Sequence, residues 1–193
     1  MRIFFIRHGQ CIRKDTEHVL TKEGLQQAKA VANKLTPLNI KKCYVSSSKR
    51  AMQTFEEFKK LKKDVEVEIS PNLKEIYHVI LSSPEIEEIN NEKFQEDTKR
   101  AEKILEKIIK EDEDTVIFAH EHIIKYFLCK FLEINPEGKG RKIAIGCSSM
   151  SIVEKKDNEN IFRIKTINDI NHLDQKEIKK FHTEYYVPDN YEN

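Results

Sequence analysis

The chain has 193 residues, 38% hydrophobic and 35% charged, enough for one domain with a proper core beneath a heavily charged surface. Its net charge of +1 gives no global attraction to nucleic acid or an anionic membrane. No apolar run reaches the ~18 residues that a membrane span needs. Cys11, Cys43, Cys129 and Cys147 show neither metal-ligand nor redox spacing, so no disulfide framework is expected and a reducing compartment is the simpler reading. Met1 leads at once into Arg2-Ile3-Phe4-Phe5-Ile6, too short for the apolar core of a signal peptide, and a cytoplasmic location is expected.

Ile3 to Ile6 reads as a short buried central strand. Thr21 is a good N-cap for a helix with Leu25, Ala28, Ala32 and Leu35 along its apolar stripe, closed by Pro37. Cys43-Tyr44-Val45 reads as a second strand that runs into Ser46-Ser47-Ser48. A helix from Lys49 to Leu61 follows, with Met52, Phe55, Phe58 and Leu61 at helical spacing. Val65, Val67 and Ile69 alternate with Glu66 and Glu68 and predict a half-exposed strand. From Ser70 to about Ile89 no period stands out, which suggests a loop bordering a site. A long charged helix is predicted from about Asn90 to Glu111, buried along Phe94, Ala101, Ile104, Leu105 and Ile108. Thr115 to Ala119 is another buried strand, feeding an apolar helix with Ile123, Phe127, Leu128, Phe131 and Leu132. Two last strands, Met150 to Val153 and Ile161 to Ile167, flank Asp157-Asn158-Glu159-Asn160, a hairpin signal. Residues 1–170 are expected to form the domain and 171–193 a polar tail. Alternating strands and helices predict an α/β fold, a three-layer α/β/α arrangement on a mixed, mostly parallel sheet with an antiparallel edge.

In such a sheet, ligands sit beyond the carboxyl ends of the strands. The first strand ends in Arg7-His8-Gly9, the second in the serine run and then Arg50, the third in His120. Two histidines and two arginines at one edge suit a phosphoryl dianion. Arginine offers phosphate a planar fork and stays charged at working pH. A neutral imidazole is a competent nucleophile near pH 7 when its other nitrogen donates to a fixed acceptor.

Arg7-His8-Gly9 after a first strand resembles the signature of the histidine phosphatase (phosphoglycerate-mutase-like) superfamily. Four more segments follow in that family's order: Leu20-Thr21-Lys22-Glu23-Gly24 with Gln27-Ala28, Ser47-Ser48-Lys49-Arg50-Ala51-Met52-Gln53-Thr54, Leu73-Lys74-Glu75, and Val116-Ile117-Phe118-Ala119-His120. Within it, Ile123 to Lys130, Pro136-Glu137, Ser148 to Ile152, and Gln10 after Gly9 are similar to the mitochondrial phosphoglycerate-mutase-like protein serine/threonine phosphatases. The resemblance implies that His8 attacks phosphorus and becomes phosphohistidine. It further implies that Arg7, Arg50 and His120 bind the nonbridging oxygens, with Gln10 and the backbone N–H of Glu121 also on the phosphate. Glu75 would protonate the leaving oxygen and then activate water. No cofactor and no metal are implied. Those mitochondrial relatives carry a membrane anchor and a tryptophan-containing assembly motif; this chain contains no tryptophan, so a monomer or homodimer is expected, in mitochondria if a leader has been removed.

Some positions depart from the family pattern. Cys11 and Lys14 stand where many relatives carry Thr and Asn, and Glu121 stands where many carry Gly; its carboxylate is expected to point away from the pocket. His120-Glu121-His122 is not a zinc site, because zinc takes three or four ligands and no matching cluster exists. His18, His78, His172 and His182 read as solvated, and His122 as adjacent to the site or on the surface. Substrates expected are phosphoproteins or small phosphorylated molecules. The competing functions are a small-molecule phosphomonoesterase, a phosphoglycerate mutase and an inactive phosphoprotein-binding module. Only 45 positions separate Glu75 from His120, which argues against the long insertion that encloses the substrate in mutases.

Overall fold

The computed structural model describes residues 1–14, 16–76, 91–136, 139–156 and 161–176. The predicted loop beyond residue 76, the turn at 157–160 and the tail from 177 onward lie outside the described residues, as do His78 and His182. Eight strands and four longer helices are described: β1 (Arg2–Arg7), β2 (Cys11–Lys14), β3 (Glu17–Leu20), α1 (Lys22–Leu35), β4 (Lys42–Ser46), α2 (Lys49–Leu61), β5 (Glu66–Ser70), α3 (Asn91–Glu111), β6 (Thr115–Ala119), α4 (Glu121–Phe131), β7 (Met150–Lys155) and β8 (Phe162–Asp169).

Six strands form one sheet in the order β5-β4-β6-β1-β7-β8. β5, β4, β6 and β1 run parallel, whereas β7 is antiparallel to both β1 and β8. The strand that reverses is therefore one position in from the edge. Strand side chains alternate between faces, and that alternation divides the core. Ile3, Phe5 and Ile117 join the buried residues of α3 and α4, together with Leu73 and Ile76, on one face. Phe4, Ile6, Val116 and Phe118 join Val31, Leu35, Phe55 and Phe58 of α1 and α2 on the other. The result is the three-layer α/β/α arrangement read from the sequence.

Three local expectations are corrected. Leu25 and Leu61 are exposed; α1 instead buries Gly24, Gln27, Ala28, Val31, Ala32 and Leu35. The segment after Ser70 is not an open loop at its start. It makes a turn of 3₁₀-helix over Pro71–Leu73 and plants Leu73 and Ile76 in the core. His172 is not solvated: its Nε2 lies 2.9 Å from the carbonyl of Ser148, and burial lowers its pKa.

The β2–β3 hairpin follows the first strand, paired from Cys11↔Leu20 to Lys14↔Glu17. It delivers Thr21 to the start of α1, where its Oγ1 accepts the N–H of Gly24 at 2.9 Å. Here two glycines are required by contact. A Cβ on Gly9 would stand 2.4 Å from the carbonyl oxygen of Gly24, and a Cβ on Gly24 2.0 Å from that of Gln10. Backbone on backbone, this contact clamps the segment after His8 to the first turn of α1.

Candidate active site

The carboxyl ends of β1, β4 and β6 carry the four residues singled out for phosphate chemistry. Backbone bonds fix the end of β1: Arg7 N–H to Ser149 O (3.3 Å), His8 N–H to Ala119 O (3.0 Å), and Ser148 N–H to His8 O (3.1 Å). Gly9 N–H donates to Thr54 Oγ1 of α2, which in turn donates to the Arg50 carbonyl. Arg7, His8 and His120 are buried and Arg50 half-buried.

Arg50 organises the centre. Its Nε–H lies 2.9 Å from His8 Nε2 and 3.2 Å from His120 Nδ1. A ring nitrogen that accepts an N–H must carry a lone pair, so the geometry specifies both tautomers. His8 carries its proton on Nδ1 and donates it to Gly9 O at 2.8 Å. His120 carries its proton on Nε2 and donates it to Ser46 Oγ at 2.8 Å. Both imidazoles are neutral, their rings 5.2 Å apart edge to face. Burial pushes the His8 pKa well below its usual 6.5, helped by His120, Arg50 and Arg7. Burial, with Arg50 and Arg7, pushes that of His120 down to about 3 against the opposing charge of Glu75. The lone pair on His8 Nε2 is thus available across the neutral and mildly acidic range, as a nucleophile requires.

Glu75 sits at the start of α4. Oε2 accepts the backbone N–H of His122 at 3.2 Å and lies 3.3 Å from its Nδ1; Oε1 accepts the N–H of Ile123 at 3.0 Å and that of its neighbour Ile76 at 3.1 Å. The helix is entered at His120, whose ring is turned toward Ser46 and makes no cap bond, so Glu75 supplies the missing N-terminal acceptor from outside. Burial alone would raise its pKa. The bonds and charges of His122 and His120 outweigh that and hold the carboxyl well below the usual carboxylate range. Arg100 of α3 pins the backbone here, donating to the carbonyls of Asn72, Lys74 and Glu75 while forking onto Asp97.

The expectation that Glu121 points away is corrected. Its Oε2 lies 2.9 Å from Arg7 Nη1, and its other oxygen accepts from Lys125. A buried guanidinium without an anion costs far more than a paired one, and the first turn of α4 brings this carboxylate within reach. Gln10 is engaged on the protein side: its Oε1 accepts from Thr21 Oγ1 at 2.8 Å, and its backbone N–H meets Gln27 Oε1. The His120-Glu121-His122 side chains diverge toward Ser46, Arg7 and Glu75 respectively. Among the described residues no group of three potential ligands could hold a metal ion.

Ser46, Thr54, Arg100 and Lys125 support the site without having been singled out. Thr54 stood inside the segment from Ser47 to Thr54 that carries Arg50, and Ser46 in the serine run that ends the second strand. Arg100 gave no signal, because a cation in a charged helix reads as surface; Lys125 stood inside the segment from Ile123 to Lys130, but as a lone cation on an apolar helix it did not indicate its partner.

The sequence pattern of the histidine phosphatase superfamily (branch 1) matches residues 3–93 and 77–170. The chain belongs to that superfamily. It is 29% identical over 188 residues to the mitochondrial serine/threonine-protein phosphatase Pgam5 of Caenorhabditis elegans and, equally, to that of Caenorhabditis briggsae. These matches cover 91% of this chain and 65% of those proteins, so the chain spans just under two-thirds of their length. Among solved structures, YhfR of Bacillus stearothermophilus superposes with a TM-score of 0.76 at 19% identity, covering 90% of this chain and 99% of that one. The phosphoserine phosphatase of Entamoeba histolytica, solved with 3-phosphoglyceric acid, gives 0.73 at 21% identity, covering 89% and 98%. At these identities the structural likeness is one of fold.

Proposed function

We propose that this chain is a phosphatase that hydrolyses phosphomonoesters through a phosphohistidine on His8, without a metal, and that its substrates are phosphoserine or phosphothreonine in proteins. The chemistry rests on one observation: a single guanidinium N–H bridges His8 Nε2 and His120 Nδ1, directing two neutral rings and a fixed cation at one point. The substrate class rests on the similarity to the Pgam5 phosphatases, which spans most of this chain.

In the first step the His8 Nε2 lone pair attacks phosphorus and the bond to the leaving oxygen breaks. The bond from His8 Nδ1–H to Gly9 O stabilises the charge that the ring takes on. Arg50 and Arg7 receive the charge that spreads over the nonbridging oxygens. His120 donates to phosphate only once its Nδ1 is protonated or its tautomer inverts; Ser46 Oγ accommodates either, since a hydroxyl both donates and accepts. The leaving oxygen takes up one proton, and the water that cleaves phosphohistidine gives one back. Glu75, held as a carboxylate, is suited to accepting that second proton. To deliver the first it must be protonated, giving up part of its hold on α4. Gln10, whose oxygen is bound to Thr21, has its amide nitrogen to offer phosphate.

The experiment is hydrolysis of an aryl phosphate in the presence of a metal chelator, followed by phosphopeptides and phosphoglycerates on the same preparation. Turnover of the aryl ester and faster hydrolysis of phosphopeptides are expected. Interconversion of 3-phosphoglycerate outpacing any peptide hydrolysis contradicts the substrate class, and no turnover at all contradicts the enzyme.

A further inference from the structure

Arg7 is expected to face a phosphoryl group, yet one arm of its guanidinium is already engaged inside the protein. Nη1 has two hydrogens. It donates to the carbonyl of Ile145 at 2.6 Å and is ion-paired with Glu121 Oε2 at 2.9 Å, so this arm is engaged within the protein. The carboxylate is itself anchored, its other oxygen bonded to Lys125 one helical turn on. All three side chains are nearly or mostly buried: Arg7 and Lys125 are 6% exposed as residues, and the Glu121 side chain 18%. The trio is therefore an ordered, solvent-screened element and not a rim contact of negligible strength.

We infer that Glu121 is a specificity residue: a tethered internal anion that competes with the phosphoryl group for Arg7 and bears hardest on ligands that carry a second negative charge beside the phosphate, such as phosphoglycerates. This rests on the proposed role of Arg7 in holding phosphate. A phosphoryl oxygen reaching Nη1 must displace the carboxylate or share the guanidinium with it, beside a negative charge in a site from which water is largely excluded. Lys125 offers the displaced carboxylate a place to stay. The competition for Arg7 costs every phosphate about equally and by itself discriminates nothing; a second negative charge beside the phosphate adds a further repulsion from the Glu121 carboxylate. A phosphoglycerate brings such a charge in its own carboxylate, a few bonds from the phosphate, whereas orthophosphate brings none. In a phosphoserine peptide the serine carboxyl is an amide, so no second charge stands beside the phosphate. The same device favours release of orthophosphate after phosphohistidine is cleaved.

The test compares the wild type with Glu121→Gln, which keeps the shape and removes the charge, and with Glu121→Ala as a second variant should the first fail to fold. Equilibrium binding of orthophosphate and of 3-phosphoglycerate is read by calorimetry, beside KM for a phosphoserine peptide. In a variant whose thermal midpoint stays within a few degrees of wild type, 3-phosphoglycerate is expected to bind about tenfold tighter or more, with the affinity for orthophosphate and KM for the peptide moving several-fold less. A gain in affinity of this kind is not what structural damage produces. Unchanged or weaker binding of 3-phosphoglycerate in the folded variant overturns the inference, as does an equal gain for all three ligands. Because orthophosphate and 3-phosphoglycerate are read by binding without turnover, an inactive wild type counts against the proposed function alone.

Discussion

The two halves of the sheet do different work. The parallel strands β1, β4 and β6 end in side chains that can act on a phosphoryl group: Arg7 and His8, Ser46 leading to Arg50, and His120. The antiparallel side, β7 and β8 with the segment before them, contributes backbone and hydroxyl groups. Ser149 O holds the Arg7 N–H, Ser148 N–H holds the His8 carbonyl, and Ile145 O takes one of the guanidinium hydrogens. That segment is shaped in its turn by Asn168, in the left-handed region at φ 59°, whose Oδ1 accepts the Gly146 N–H at 2.6 Å. Parallel strands place catalytic groups at a common edge; the reversed strand brings a chain segment back across that edge to brace them. Changes on the parallel side should therefore strike rate, and changes on the antiparallel side should strike stability and binding.

The largest effect expected among these is that of Arg50→Ala. It removes the shared donor of both rings and should lower kcat by ~10²- to 10³-fold, with Arg50→Lys recovering little because an ammonium cannot reproduce the fork. Steady-state kinetics on an aryl phosphate decides this, and a loss below tenfold would break the division of labour. Ser46→Ala comes next. It leaves the buried Nε2–H of His120 without an acceptor, a cost of ~1–3 kcal/mol that should appear as about a tenfold or greater fall in kcat/KM. It should also alter the pH dependence of activity, which a purely structural role would leave alone.

Acidification separates rate from stability. The folded pKa values of His8 and His120 lie below the usual 6.5, so between those values the unfolded chain binds protons that the folded chain refuses. Their contribution to stability is complete above about pH 6.5 and is lost as pH falls, for His120 toward about 3. Glu75, depressed from 4.5, adds a further loss at the acid end. Denaturant midpoints should fall steadily from pH 7 to pH 4, and a His120→Asn variant should show a shallower slope. Meanwhile the acid limb of kcat/KM should not begin at 6.5, because His8 keeps its lone pair well below it. The smallest effect belongs to Asn168→Ala: ~1 kcal/mol of stability with a several-fold rise in KM and little change in kcat. A large loss of kcat here would blur the contrast between the halves.

The legible parts of the molecule were those written in local pattern. Phe4, Phe5 and Ile6, or Val116 to Ala119, can only be buried strands, and once three such strands are parallel their ends must converge. The β2–β3 hairpin was not legible because Cys11 to Lys14 has no apolar alternation and Ile12 ends up largely exposed. Leu25 and Leu61 fit the helical period yet face solvent, because the clamp between Gly9 and Gly24 turns α1 so that Gly24 lies inward, and Leu61 is the last residue of α2. Within the site, His8, Arg50 and His120 were readable from position alone. Glu121 and Glu75 were not. Where a carboxylate turns depends on which cation or N–H group lies closest across the fold, and Arg7, Lys125 and the first turn of α4 come together only after the chain has folded. Ser46 was visible as one of three serines, but nothing in the sequence distinguishes the one that faces His120.

The central claim is that His8 Nε2 takes the phosphoryl group, and trapping the phosphoenzyme tests it most directly. Rapid quenching with a phosphorus-labelled substrate in chelator should yield labelled protein whose label survives alkali and is lost in acid, as a phosphoramidate bond requires, and that is absent from His8→Ala. Label that resists acid, or that persists in the folded His8→Ala protein, would place the covalent chemistry elsewhere and contradict the account.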